Sequence, residues 1–342
     1  MHYLEFLLHE VDRSYPHLGN LACMAMLTIK AQQCLLTIAP RGCGKSRISS
    51  FVGLSYPKAM MQEGLSVAGL GHIADELNGF ESVIVVDDIA KAQTPYARLT
   101  TVTALAELCY GHSYHRLMAD NVYNIENFQG SAIVNVQPVL LRHLVESDEW
   151  EASIQDKTIR YYHLWRPTKP NSSPPNFKLQ WGKKLEAVKE VTLTGRASKE
   201  LATIGEIQWT RARQNERIKL LLRACAALDN RDAVNTTDYH QLTKILRPLM
   251  LERLILDKRD FESDRLLDAN ALAILTEFLT YGNFTLENLA YDYKVSRSQC
   301  YKLMSKYSRL WTEVSKSPTI YAPTAELKAE LIRLRLIKDT RG

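Results

Sequence analysis

The sequence predicts an α/β fold with a parallel sheet in its front half, followed by a helical region and a small C-terminal module of helices and a β-hairpin. Three observations carry this. Short, continuous apolar runs alternate with helical patterns as far as about residue 165, and strands apolar on both sides belong to parallel sheets covered on both faces. The stretch RPTKPNSSPP, residues 166–175, then carries four prolines in ten residues with no periodicity and marks a boundary. Beyond it, residues 211–228 and 237–256 place apolar side chains at i, i+3, i+4 and i+7, the period of a helix. The predicted divisions are 1–165, 166–265 and 266–342, with no internal repeat.

In chain order, Cys34–Ala39 (CLLTIA) reads as a strand and Lys45–Leu54 as a helix. Leu65–Gly69 (LSVAG) reads as a second strand, His72–Asn78 as a short helix and Ser82–Val86 (SVIVV) as a third strand. A helix opens at Thr94-Pro95, a capping residue and a first-turn proline, and runs to about Tyr110. A ribbon around 116–129 and a strand at Ser131–Val136 (SAIVNV) complete the front half.

Bulk properties bound the function. A chain of 342 residues with 46% apolar content supplies two or three cores. No window approaches the roughly 18 apolar residues of a membrane span, and the acidic start MHYLEFLLHEVDR is unlike a signal peptide, so a soluble, cytoplasmic protein with no membrane partner is expected. The six cysteines form no CxxC pair, which points to reduced thiols. Cys109, His112 and His115 in CYGHSYH lack an obvious fourth ligand and read as an ordinary helix end. The net charge of +5 hides an asymmetry: residues 1–165 hold 12 Lys+Arg against 17 Asp+Glu, and residues 166–342 hold 31 against 21. A basic back half suits a polyanionic partner, or simply solvated helices.

APRGCGKSR, Ala39–Arg47, follows the first strand and precedes the first helix of that pattern. A P-loop needs glycines that let backbone N–H groups turn onto phosphate oxygens, a lysine for the outer phosphates, and a hydroxyl on magnesium at the helix start. Ala39-x-x-x-x-Gly44-Lys45-Ser46 meets that pattern with alanine in place of the first glycine. Pro40, Arg41, Gly42, Cys43, Gly44, Lys45, Ser46 and Arg47 are therefore the expected ATP contacts. SVIVVDDIA supplies the metal partner: Asp87, at the end of a buried strand, joins Ser46 on Mg2+, and Asp88 orients or activates the attacking water.

These residues resemble the AAA+ ATPases, whose loop form GPPGxGK with Thr or Ser matches Pro40, Gly42, Gly44, Lys45 and Ser46 and departs at Ala39 and Arg41. The paired acids Asp87-Asp88 are similar to those of the family's initiator and helicase-loader branches. The resemblance implies further roles: Asn135 in SAIVNVQP as a sensor of the outer phosphate, and a helical lid whose Arg213, or else Arg211, reaches the γ-phosphate. It also implies an arginine finger acting on a neighbouring subunit, for which Arg160 is preferred over Lys157 and Arg142. The loop Gly69–His72 and the ribbon 120–129 are the expected channel-lining segments of a ring, a hexamer in most of the family.

Asn283–Leu310 resembles a helix-turn-helix, with Ser296 capping a second helix that leaves Arg297, Ser298, Gln299, Lys302 and Lys306 outward. LWTEV and TIYAP follow as the wing of a winged helix, with Lys316 at its tip. DNA is the expected partner, a protein-contacting winged helix the alternative. The layout is similar to that of RuvB-like motors, archaeal origin-recognition initiators and MCM-like helicases. It implies an oligomeric ATPase that translocates on or remodels DNA, with other replication, recombination or transposition proteins as further expected partners. The second expectation is a nucleotide-gated switch that binds DNA, recruits a partner and hydrolyses slowly, as transposition regulators and helicase loaders do.

Overall fold

A computed structural model describes residues 1–342 except 63–64, 66, 93, 119–120, 164–174, 194, 256–268, 294, 335 and 338–342. The described residues form two compact units: 1–163 with 175–249, and a second that begins at Met250. The division at Met250 lies earlier than the expected 266, and the helices expected to stand apart as a lid belong to the same unit as the sheet.

The first unit opens with α1 (Tyr3–Ser14) and α2 (Gly19–Lys30), the latter apolar on nearly every side and almost wholly buried. Then come β1 (Cys34–Ile38), α3 (Lys45–Gly53), β2 (Met60–Gln62), α4 (Val67–His72), α5 (Ala74–Leu77) and β3 (Val83–Val86). After these follow α6 (Pro95–Gly111), the hairpin of β4 (Tyr114–Met118) and β5 (Asn121–Ile125), β6 (Ser131–Val136), α7 (Pro138–Val145) and β7 (Thr158–Tyr162). Five strands make one parallel sheet in the order β2-β3-β6-β1-β7, with Cys34 level with Ala132 on one side and Thr158 on the other. Every residue of β1, β3, β6 and β7 is buried, the polar Thr37, Ser131, Asn135, Thr158 and Arg160 among them. Thr94 caps α6 by accepting the Ala97 N–H at 3.1 Å, with Pro95 in the first turn.

Two expectations fail within this unit. The expected strand at 65–69 is instead the start of α4, and the sheet takes Met60–Gln62 as its edge strand. Leu65, then Leu70 of α4 and Ala74 and Leu77 of α5, are buried, so two short helices rather than a strand cover this segment's apolar side chains. Gly69–His72 is therefore helix rather than a channel loop. The ribbon at 116–129 exists as the β4–β5 hairpin, but Asp120 lies outside the described residues.

The chain continues through α8 (Gly195–Gln208), α9 (Arg211–Leu228) and α10 (Thr236–Leu246), which pack on one another and on α2. The helix expected over 237–256 stops at Leu246 and gives way to a 3-10 turn over Arg247–Leu251, because Pro248 has no N–H to continue it. A polar cluster fastens these helices to the N-terminus. Asp238, fully buried, accepts from Arg231 and lies 3.0 Å from His2 Nε2, while the Tyr3 N–H donates to Asp229 at 2.9 Å. Burial opposes the Asp238 carboxylate, yet hydrogen bonds from His2, Arg231 and the Asn235 backbone hold its pKa below the ordinary value.

The second unit contains α11 (Glu252–Ile255), α12 (Ala269–Tyr281), β8 (Phe284–Thr285), α13 (Leu286–Tyr293), α14 (Arg297–Lys306), β9 (Trp311–Lys316), β10 (Thr319–Pro323) and α15 (Ala325–Arg333). Its sheet is antiparallel in the order β8-β10-β9. Tyr321 meets Phe284 at 6.0 Å and Trp311 at 4.8 Å between ring centroids, and Phe278 backs Phe284 at 4.9 Å. Among the described residues no helix is long and apolar enough to cross a membrane.

Replacing Asp238 by Asn removes the buried one of Arg231's two carboxylate partners, the other being Asp229, and losing a hydrogen bond to a charged group costs about 2 kcal/mol. Urea unfolding of Asp238→Asn is expected to lose that much stability with an unchanged denaturant slope.

Candidate functional site

All five parallel strands deliver their chains to one edge, where the loops after β1, β3, β6 and β7 gather. The loop after β1 turns at Gly42 (φ +75°) and Gly44 (φ +87°), left-handed conformations that explain glycine at both positions. A Cβ on Gly44 would meet Leu18 Cδ1 at 2.6 Å, whereas one on Gly42 meets nothing within 4 Å, so Gly42 faces open space. Gly44 is also the N-cap of α3, leaving the first N–H groups of that helix turned toward the loop.

Lys45 folds back over this loop. It is only 8% exposed, donates to the carbonyls of Ala39 and Pro40, the latter at 2.7 Å, and lies 3.7 Å from Cys43 Sγ. Burial lowers its pKa, while Cys43, Asp88 and Asp87 act in the opposite direction. Burial likewise raises the Cys43 thiol. Ser46 is exposed in the first turn of α3. Arg47 turns away from the loop to lie over the Tyr15 ring, 5.4 Å from its centroid.

Asp87 follows β3 and is held by its N–H on the Gln62 carbonyl at 3.1 Å. Its Oδ1 is buried without a hydrogen-bond partner, a costly state for a carboxylate. Asp88 caps the next turn by accepting the Ala90 N–H at 2.9 Å. It also accepts Gln137 Nε2 at 3.2 Å, and Gln137 Oε1 accepts Arg41 Nε at 3.0 Å, so a side-chain bridge joins the glycine loop to the paired aspartates.

Sequence reasoning missed Gln137 and chose Asn135. Asn135 lies inside β6, level with Thr37 of β1, and its amide is engaged with Ser49 of α3 at 3.0 and 3.2 Å. Two residues further on, past the strand end, Gln137 holds the position expected of Asn135. The missed signal was its place in VNVQP, immediately after the last buried strand residue. His163 was also missed. It follows β7, is 2% exposed, and hydrogen-bonds the Cys43 backbone beneath the loop. Burial, and then the charges of Lys45 and His17, push its pKa down to about 3, so it is neutral at ordinary pH.

Both arginines expected to reach the site lie elsewhere. Arg160 is fully buried inside β7: it donates to the carbonyls of Gln155, Thr158 and Gln208 and sits over the Trp150 ring. A guanidinium enclosed by its own chain is not available to a neighbouring subunit, so the Arg160 finger is ruled out. Lys157 is paired with Glu107 at 3.3 Å, and the Arg142 side chain lies outside the described residues. Arg213 packs 4.6 Å from the Tyr110 ring centroid, at the far end of α6, and pairs with Glu216 at 3.4 Å. The preceding Thr210 is tied to Asp156, just before β7 begins, at 2.7 Å. Arg211 and Arg213 thus stand at the opposite edge of the sheet from the glycine loop, and a five-residue strand rising about 3.3 Å per residue separates the edges by roughly 16 Å.

Among the described residues no group of three His, Cys, Asp or Glu side chains forms a metal site, and all six cysteines are buried free thiols. His112 Nδ1 instead meets the Phe128 carbonyl at 2.9 Å and His115 Nδ1 meets Asn124 at 3.2 Å.

In the second unit, Ser296 caps α14 as expected, but the box is reciprocal: Gln299 turns back to accept the Ser296 N–H at 2.9 Å and is occupied as a cap rather than free on the face. Arg297, Ser298, Lys302 and Lys306 are exposed along α14, joined by Tyr301 at 58% exposure, which the sequence reading passed over. Arg297 pairs with Glu287 at 3.3 Å and Lys306 lies 5.1 Å from the Tyr307 ring centroid. Ion pairs this exposed contribute little and exchange readily. Lys316 is exposed at the end of β9.

Because folded His163 refuses a proton that the unfolded chain accepts below about pH 6.5, stability falls as pH drops from there toward 3. The slope approaches about 1.4 kcal/mol per pH unit, so the wild type is expected to lose about 2 kcal/mol between pH 6.5 and 5, and His163→Gln to show a correspondingly flatter urea-stability profile.

Compared with known proteins, the sequence matches no protein-family model and no curated protein.

Proposed function

We propose that the first unit binds and hydrolyses Mg-ATP at a P-loop of the AAA+ kind, and that the second is a winged helix whose α14 face binds DNA. The observation that carries the nucleotide reading is the buried, unpartnered Oδ1 of Asp87, at the same sheet edge as a glycine loop whose lysine is already turned inward. Asp87 and the exposed Ser46 hydroxyl are hard oxygen donors of the type Mg2+ prefers. When bound, the ion neutralises and orients phosphate oxygens.

The chain's own residues then divide the work. The N–H groups of the loop and of the α3 N-terminus donate to phosphate oxygens, and Lys45 exchanges the Ala39 and Pro40 carbonyls for the outer phosphates. Asp88 accepts the proton of the attacking water, and Gln137 holds that carboxylate in place. On α14, Arg297 and Lys302 contact backbone phosphates while Ser298 and Tyr301 reach base edges.

Two roles remain for such a protein: a ring that moves DNA, or a nucleotide-gated switch that sits on DNA and recruits a partner. The burial of Arg160 and the distant place of Arg213 favour the switch, since the ring needs cations from its lid and its neighbour. A DNA-dependent turnover that rises steeply with oligomer formation would restore the ring.

Lys45→Ala is expected to abolish Mg-ATP binding by calorimetry without altering thermal unfolding of the ligand-free protein; retained binding would place the nucleotide elsewhere. Arg297→Ala with Lys302→Ala removes two phosphate contacts, and the slope of log K against log salt for duplex DNA is expected to flatten by about 1.8. An unchanged slope would assign the α14 face to a protein partner.

A further inference from the structure

We infer that Arg41, from the site's own glycine loop, supplies the guanidinium that stabilises the transferred phosphoryl group, so that hydrolysis is completed within one chain. The inference rests on the Mg-ATP reading above and adds to it the residue that makes turnover independent of a partner subunit.

The placement is structural. Arg41 lies between Pro40, whose carbonyl holds Lys45, and Gly42, whose left-handed turn opens the loop to solvent. Its side chain reaches across the end of β6, where Nε donates to Gln137, and Gln137 in turn donates to Asp88. The guanidinium is therefore held over the gap between the β1 loop and the β3 aspartates, where the Mg-ATP reading puts the outer phosphate. Only the Nε–H is engaged, so both Nη groups of this exposed arginine remain for a planar, bidentate contact with phosphate oxygens. Other arginines near the unit's sheet are committed: Arg160 to buried carbonyls, Arg47 to Tyr15, and Arg98 to the Ala92 carbonyl at 2.9 Å.

The step balances without further reagents. The water oxygen forms a bond to the γ-phosphorus, and the bond from that phosphorus to the β–γ bridging oxygen breaks with its electron pair leaving on ADP. The water proton passes to Asp88. Charge accumulates on the equatorial and bridging oxygens, and a guanidinium placed there stabilises the transition state more than bound ATP.

The test uses the full-length protein. Arg41→Ala is expected to lower kcat at least about a hundredfold while Mg-ADP affinity stays within about threefold, and to abolish the extra tightening that fluoroaluminate gives Mg-ADP in the wild type. Arg41→Lys is expected to recover less than about a tenth of the lost rate, since an ammonium makes no bidentate contact. Wild-type turnover per chain is expected to be constant across a hundredfold range of protein concentration. Arg41→Ala turnover within about threefold of wild type, or turnover per chain that rises with concentration, overturns the inference. Wild type that binds Mg-ATP but does not hydrolyse it overturns the inference and leaves the binding reading standing, whereas no Mg-ATP binding at all removes that reading first.

Discussion

Inserting β6 between β1 and β3 sets the spacing on which the rest of the site depends. Adjacent strands stand about 4.8 Å apart, so the glycine loop and the paired aspartates are separated by two such steps, roughly 9.6 Å. The intervening strand ends in Gln137, which spans the gap by holding Arg41 with its oxygen and Asp88 with its nitrogen. A single amide thus connects two loops more than forty residues apart in sequence, because amides both donate and accept.

The electrostatics at this edge is organised around one buried ammonium. Lys45 is kept from water by the loop it closes, and carbonyl oxygens, Asp87 and Asp88 offset the burial that favours its neutral form. Directly beneath the loop, His163 stays neutral for the complementary reason: a second positive charge close to Lys45 and His17 in a buried pocket would be unfavourable. The loop is therefore presented with a positive charge, donors and no competing anion within it. Its anionic neighbours, Asp87 and Asp88, stand across the gap. The polar cluster of His2, Asp229, Arg231 and Asp238 plays an unrelated part: it fixes the helices after residue 195 to α1, joining both to the sheet unit.

The misplaced arginines have a common physical origin. Arg160 lies inside a buried strand, where an arginine is uncommon; the carbonyl oxygens that enclose it come from Gln155, Thr158 and Gln208, the last 48 residues away. Arg213 begins a basic amphipathic helix, as a lid arginine would, but the pairing of Thr210 with Asp156 directs the start of that helix to the other edge of the sheet. Gln299 was read as an outward side chain and is instead half of a reciprocal cap. For Arg160 and Arg213 the partner was decided by packing at long range, whereas Gln299 caps a residue only three positions away.

By itself, the sequence determined the buried strands β1, β3 and β6, the boundaries of α6 and α9, the glycines of a permissive loop after β1, and the capping serine of α14. These are local matters of steric freedom, periodicity and hydrogen bonding within a few residues. Tertiary structure decided which strand lies between which, and hence that Gln137 rather than Asn135 meets Asp88, that Arg41 has a partner at the site, and that Arg160 and Arg213 do not reach it. Those outcomes depend on strand order and on contacts between segments distant along the chain, which no periodicity encodes.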